Sequence, residues 1–421
     1  MRRMTSHAPA RGLLRRLFAL LLPMLLLAAC AATTPRPPAD APPVLLVSID
    51  GFRATDLDRA PTLRALADDG VRAAGMQPSY PSLTFPNHYA IVTGLRPDHH
   101  GIVHNTMRDP VLGRFSMSDR RAVGDGRWWA QGEPIWVTAH KAGLRTATMF
   151  WPGSEAAING VRPDTWHAFD AKVPPDARVD TVLGWLDRAP AQRPRLMTLY
   201  FDQVDHAGHD AGPDAPETRA AIAQVDAALA RLVDGLRQRG LLDRINLVVV
   251  SDHGMATVPP DQVLTVEEMA PPALADAVTT GQVVAFRPHA GREAEADAVL
   301  LGRHAHYACW RKETLPAHWQ YGRHPRIPPI VCQMDEGWDA VTASWKAKRS
   351  PGTRGSHGFD PALPSMRALF VAHGPAFRAG TVLPVFDNVD VYPLLAALLR
   401  ITPAANDGTL APLRPALRDL P

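Results

Sequence analysis

From Pro43 onward the chain alternates short, wholly apolar runs with longer amphipathic ones, and three of the apolar runs end in the same way. Val44 to Asp50 (VLLVSID) closes on Asp-Gly; Arg195–Phe201 (RLMTLYF) runs into Asp202, Asp205, His206 and His209; Ile245–Ser251 (INLVVVS) runs into Asp252-His253-Gly254. A run of this length, bounded by turn residues, reads as a strand buried on both faces. Such a strand has no packing use for an acid at its tip. Open α/β sheets bind ligands beyond the carboxyl ends of their strands. The pattern therefore delivers carboxylates and imidazoles to one sheet edge, which suggests a metal site.

Between these runs, Pro61–Gly70, Glu133–Gly143, Asp176–Ala189, Ala215–Arg239 and Asn388–Leu399 read as helices, with further strands at Arg145–Phe150 and Arg367–Ala372. Alternating strands and helices predict an α/β fold with a doubly wound, mostly parallel sheet flanked by helices. Gln77–Asn87 (QPSYPSLTFPN) is too rich in proline for a helix interior. Pro86 reads as the first residue of a helix that stops at Gly94. Thr84 then falls in the turn before a helix N-terminus, where free N–H groups and the macrodipole favour anions. From about 256 to 345, many prolines, tryptophans and weak periodicity predict an inserted lobe rather than more sheet.

Composition is that of a globular protein, with 46% hydrophobic and 21% charged residues. Residues 1–29 change the charge picture. Arg2, Arg3, Arg11, Arg15 and Arg16 precede an apolar run from Leu17 to Ala29, too short to span a bilayer and suited to a signal peptide. Leu27-Ala28-Ala29-Cys30 resembles a lipobox, with Cys30 lipidated, and the following Ala31 suits an outer-membrane lipoprotein facing the periplasm. Residues 30–42 form a Pro/Ala tether. Removing five arginines and no acid takes the formal charge from +3 to −2, so no basic excess points to nucleic acid. In an exported chain the pair Cys309 and Cys332 reads as a disulfide, with zinc ligation as the alternative. No transmembrane segment is visible.

Asp205 and His209 are four apart, which suits one ion on a helical turn or tight loop. Asp252-His253 offers an oxygen and a nitrogen together, Asp50 comes from the first strand, and His357 lies in Gly355-Ser356-His357-Gly358. A mixed oxygen and imidazole set suits zinc better than calcium or magnesium. Two such ions would clamp a phosphoryl centre.

The runs VLLVSIDGFR, PSYPSLTFPNHYAIVTGLRPDHHGIVHNTM, FWPGSEAAINGVRPD, YFDQVDHAGHDAGP, VVVSDHGM and RGSHGFD resemble, in order, the nucleotide pyrophosphatase/phosphodiesterases of the alkaline phosphatase superfamily. The resemblance runs from residue 43 to the C-terminus and implies one catalytic domain, 43–421. It implies two zinc ions, one on Asp205, His209 and His357, the other on Asp50, Asp252, His253 and the hydroxyl of Thr84. Thr84 would be the nucleophile of a phospho-threonine mechanism, and Asn105 would bind a phosphoryl oxygen. Phe85 and Phe169 match positions that stack a nucleobase, and Trp151 matches a pocket-lining position. Glu155 and Asn159 would touch the sugar or fix their loop; His88, His99, His100 and His104 lie near the site and read as structural or as supporting the groups that contact metal and substrate. The segment after Thr84 has no basic residue until Arg96, which favours diesters over dianionic monoesters. The expected substrate is a nucleotide or another small phosphodiester, with a phospholipase C-like or glycerophosphocholine phosphodiesterase activity as the alternative.

Overall fold

β1, Val44–Ile49, lies at the centre of an eight-stranded sheet, hydrogen-bonded in parallel to β2 (Leu196–Phe201) on one side and to β3 (Asn246–Val250) on the other. Beyond β3 come Phe370–His373, Val71–Ala73 and Thr381–Leu383; beyond β2 come Thr146–Met149 and Thr165–His167. Only Phe370–His373 runs antiparallel to its neighbours, so the sheet is mixed and mainly parallel, as expected. The structure, a computed structural model, describes residues 41–349 and 351–418; the expected signal peptide, Cys30 and the tether up to residue 40 lie outside the described residues. The described residues fall in one compact unit.

Alternation along β1 explains why every position is apolar or small. Val44 and Leu46 enter one apolar cluster, with residues of the helix Thr84–Thr93 (α1), while Leu45, Val47 and Ile49 enter another, with Pro175–Leu186 and Pro216–Gln238. Each fully buried aliphatic side chain contributes roughly 1.5–3 kcal/mol. Ser48 is the exception, and its hydroxyl meets His88 Nε2 at 2.8 Å. In register, Ile49 faces Phe201 and Ser48 faces Val250. The three carboxyl ends therefore finish side by side.

Two expectations change. α1 begins at Thr84, so Thr84 lies in its first turn rather than before it, and Pro86 takes the third position. The first N–H groups of a helix have no intrahelical partner, so proline is tolerated there too. The stop at Gly94 holds, with φ 66°. The stretch expected as an irregular lobe contains a five-stranded antiparallel sheet, ordered Ala275–Ala277, Val283–Pro288, Ile330–Met334, Tyr307–Arg311 and Gly302–Arg303. Cys309 and Cys332 sit directly opposite on neighbouring strands and are joined by a disulfide. The excursion leaves and rejoins the main body through one ladder, Ala256–Val258 against Arg354–Ser356. Among the described residues no helix is long and apolar enough to cross a membrane.

Candidate active site

Asp50 follows β1, Asp252 and His253 follow β3, and Asp205 and His209 lie on the helix Gln203–Ala211 (α2) that follows β2. The α2 spacing places both side chains on one face, one turn apart. Gly51 has φ +68°, and a Cβ there would come within 3.0 Å of the Cα, Cβ and Oδ1 of Asp205. Only glycine lets the turn after β1 approach α2 this closely. His357 arrives from the far end of the excursion, and its ring stacks on His253 at 3.5 Å. Residues scattered from 50 to 357 thus converge.

Two groups of donors result. Asp50, Asp252 and His253 offer atoms within 4.8 Å of one another, and so do Asp205, His253 and His357. His253 belongs to both, a sharing the linear sequence does not reveal. Its Nε2 lies 3.0 Å from Asp252 Oδ2 and 3.5 Å from Asp50 Oδ1. His209 Nε2 stands 3.0 Å from His357 Nε2 and 3.6 Å from Asp205 Oδ1, at the more open side of the second group.

The residues present fit divalent cations. His209 Nδ1 faces Gly355 O at 3.0 Å, His253 Nδ1 faces Gly254 O at 2.9 Å, and His357 Nδ1 faces Ser82 O at 2.9 Å. A carbonyl only accepts, so each Nδ1 carries the proton and each Nε2 presents a lone pair to the site. Lone pairs of His209 and His357 therefore face each other across 3.0 Å, an arrangement that a cation relieves. Asp50 Oδ1, Asp205 Oδ1 and Asp252 Oδ2 are buried with no hydrogen-bond partner among the described residues. Buried carboxylates are costly unless paired or bound to metal. Burial, with the charges of Asp252 and Asp205, pushes Asp50 well above the usual carboxylate range. Burial also opposes ionisation of Asp252, but His253 and His88 outweigh it and hold that group well below its ordinary value. His357 is lowered by burial and by the neighbouring His253 and His209, which favours the neutral, ligating form.

Thr84 lies against this centre, its Oγ 3.3 Å from His253 Nε2, in the first turn of α1. Asn105 Oδ1 accepts the N–H of Phe85 at 2.9 Å. That bond uses the carbonyl end of the amide, so the NH₂ end is the one left to donate to a ligand.

The expected substrate residues separate. Phe85 is buried and packs edge-on against Phe115, whereas Phe169 is half-buried and lies edge-on to Tyr200 and Phe150. Glu155 Oε1 accepts the Phe169 N–H at 3.0 Å, so it fixes the loop. Asn159 is exposed with φ 50°, beside Gly160 at φ 82°, inside the Ile158–Val161 bridge. Asn-Gly with positive φ at both positions is the sequence of a tight hairpin turn, and this turn accounts for Asn159. Trp151 is 2% exposed and donates its indole N–H to His88 O at 3.1 Å, so it supports the site from beneath instead of lining it.

Sequence reasoning missed Tyr200, which donates to Asp50 Oδ2 at 2.6 Å. His88, expected near the site as a structural or supporting residue, has Nδ1 2.9 Å from Thr84 O and 3.2 Å from Asp252 Oδ2. Of the other histidines, His99 pairs with Asp407 at the surface, while His100 and His104 are buried and bond to backbone.

A mainly parallel α/β sheet that gathers two acid–imidazole groups beside a helix-borne threonine defines an alkaline phosphatase-like protein with a candidate metal centre. The chain belongs to the type I phosphodiesterase/nucleotide pyrophosphatase family, whose model matches residues 44–360. It is 36% identical over 383 residues to rat ectonucleotide pyrophosphatase/phosphodiesterase family member 3, covering 88% of this chain and 43% of that protein. It is 36% identical over 386 residues to an uncharacterized pyrophosphatase/phosphodiesterase of Schizosaccharomyces pombe, covering 87% and 78%. The chain spans less than half the length of the mammalian relatives it matches. Among solved structures, an inactive threonine-to-alanine form of murine ectonucleotide pyrophosphatase/phosphodiesterase 5 in complex with AMP superposes with a TM-score of 0.84 at 32% identity, covering 90% of this chain and all of that one.

Proposed function

We propose that this chain hydrolyses phosphodiester or pyrophosphate bonds of nucleotides, releasing nucleoside 5′-monophosphates, with Thr84 as nucleophile beside two zinc ions. One observation carries the reading: the Thr84 hydroxyl sits 3.3 Å from His253 Nε2, the imidazole shared by both donor groups. The AMP complex of the murine relative supports a nucleotide substrate.

Asp205, His209 and His357 would hold one ion; Asp50, Asp252, His253 and the Thr84 hydroxyl would hold the other. The mixed oxygen and imidazole donors suit zinc. When bound, the ions lower the pKa of a nearby hydroxyl and neutralise phosphoryl charge. Thr84 Oγ attacks phosphorus as the bond to the leaving group breaks, and water then cleaves the phospho-threonine ester. The Asn105 NH₂ and the N-terminus of α1 donate where negative charge develops. Phe85 and Phe169 flank the nucleobase, with Glu155 holding Phe169 in place.

Residues 43–421 form one catalytic domain in this reading, with the second sheet as its inserted lobe. Lipidation of Cys30 would tether it to the outer membrane facing the periplasm; shedding of a Cys30→Ser form into the soluble fraction tests that.

The decisive experiment compares p-nitrophenyl thymidine monophosphate with p-nitrophenyl phosphorylcholine and p-nitrophenyl phosphate. The nucleotide ester should be preferred, and preference for either of the others overturns the assignment. Thr84→Ala should abolish turnover while metal analysis still finds two zinc ions; joint loss of metal and fold means a structural role.

A further inference from the structure

Outside the metal centre, the strands Thr106–Asp109 and Gly113–Ser116 form a hairpin that starts one residue after Asn105. Register sorts its faces. Met107 and Phe115 are paired and buried; Thr106 with Ser116 and Arg108 with Arg114 are paired on the opposite face. That face meets the second sheet, where Asp276 pairs with Arg287. Between them lies a cavity of about 140 Å³ lined by Thr106, Arg108, Arg114, Asp276 and Arg287.

The charges in this cavity do not cancel. Like charges directly opposite on a sheet are destabilising, yet Arg108 and Arg114 occupy such a pair. None of the three arginines has a hydrogen-bond or ion-pair partner among the described residues. The one carboxylate present, Asp276, instead pairs with His289, 3.7 Å away. Three exposed guanidinium groups from two separate hairpins thus line one cavity with a single carboxylate, Asp276, against them, a net positive charge. Guanidinium forks match phosphate oxygens in pairs.

We infer that this cavity is an anion subsite that takes a phosphate on the leaving-group side of the substrate, beyond the phosphorus attacked by Thr84. The inference rests on the proposed phosphodiesterase reading. Placement supports it. Asn105, whose NH₂ is aimed at the scissile phosphoryl group in that reading, is three residues from Arg108 along an extended strand, about 10 Å. Phe85 sits on the buried side of the same hairpin, against Phe115. The nucleobase side and the arginine side therefore lie on opposite faces of one β-ribbon. The second sheet then takes part in substrate binding, because Arg287 supplies one of the three charges.

The test uses the metal-loaded enzyme and two substrates that differ only in the leaving group, a nucleoside triphosphate and the p-nitrophenyl ester of the same nucleoside monophosphate. Arg108→Ala, Arg114→Ala and Arg287→Ala should each lower kcat/KM for the triphosphate about tenfold. Turnover of the nitrophenyl ester should stay within twofold, which also reports an intact fold. The wild-type preference for the triphosphate should fall with added salt. Pyrophosphate competing against the nitrophenyl ester should lose potency in the triple variant if free phosphates also use the cavity; unchanged potency assigns it to substrate-borne phosphate alone. Equal losses on both substrates, or no loss on either, overturn the inference. A wild-type enzyme that hydrolyses neither substrate refutes the phosphodiesterase reading instead.

Discussion

Tyr200→Phe isolates one bond at the metal centre. Tyr200 donates to Asp50 Oδ2 at 2.6 Å, and that is the only hydrogen bond of either Asp50 carboxylate oxygen among the described residues. Phenylalanine keeps the ring, whose edge contacts with His88 at 5.2 Å and Phe169 at 5.7 Å preserve the packing. What disappears is a buried bond to an ionised acceptor, about 1.5–3 kcal/mol. At ~1.4 kcal/mol per tenfold, that predicts a loss of metal affinity of roughly 10- to 100-fold, the range typical for partners of metal ligands. The loss has a pH signature. Burial and the charges of Asp252 and Asp205 raise Asp50, and the Tyr200 bond acts in the opposite direction. Removing it raises the group further, so protons compete better with metal and the deficit should grow as pH falls. Titration against a chelator of known affinity, read by direct metal analysis, measures the constant. Turnover at saturating metal should remain within a few-fold of wild type. Unchanged metal affinity at every pH would refute the assignment of Tyr200, whatever the activity did.

Three further substitutions probe separate parts of the molecule. Asn105→Ala should lower kcat/KM for a nucleotide diester by about 10²–10³-fold, mostly in kcat; near wild-type rates remove it from the phosphoryl site. Glu155→Ala frees the Phe169 N–H, so KM for the nucleotide ester should rise several-fold with kcat nearly unchanged, and a pure kcat effect would contradict a role in placing the ring. His100 is pushed down to about 3 by burial, against an ordinary value near 6.5. A histidine held neutral in the fold contributes stability that is present above about pH 6.5 and lost as pH falls toward the folded value, roughly 2 kcal/mol by pH ~5. His100→Asn should therefore flatten the decline in Tm between pH ~8 and ~5 relative to wild type, and parallel curves would show that His100 does not titrate on unfolding.

The candidate metal ligands were legible because each breaks a local pattern. Asp50 and Asp252 are acids where an apolar strand stops, and the Asp205–His209 spacing fits the helical turn that forms after β2. Residues that support the ligands carried no such mark. Tyr200 and Ser48 lie inside strands buried on both faces, where alternation leaves no polar side to stand out. All ten residues of α1 are buried, so it lacks the amphipathic period that would have fixed its start at Thr84 or singled out His88. The Asn-Gly turn at 159–160 was readable from its dipeptide, and of the two roles expected for Asn159 the geometry favours fixing the loop. The second sheet escaped because its strands are short and separated by prolines; only the cysteine pairing hinted that Tyr307–Arg311 and Ile330–Met334 are neighbours.

That sheet is attached in a way that would, in the proposed reading, separate catalysis from substrate preference. Ala256 pairs with Ser356, Thr257 with Gly355 and Val258 with Arg354, so the excursion departs three residues after His253 and returns one residue before His357. The short ladder brings the two imidazoles into the 3.5 Å stack, while the sheet between its ends packs through Val283, Ala285 and Val331 into the same apolar cluster as α1. His357 is further pinned through Ser82 O, two residues before Thr84, and His253 through the adjacent Gly254 O. None of these restraints comes from the five-stranded sheet. Changes in its loops or surface charges can therefore alter what lies opposite the hairpin at Arg108 and Arg114 without moving a metal ligand. If Thr84 is the nucleophile and the arginine cavity takes the leaving group, as proposed, a fold arranged this way can exchange one leaving group for another while the chemistry at Thr84 stays fixed.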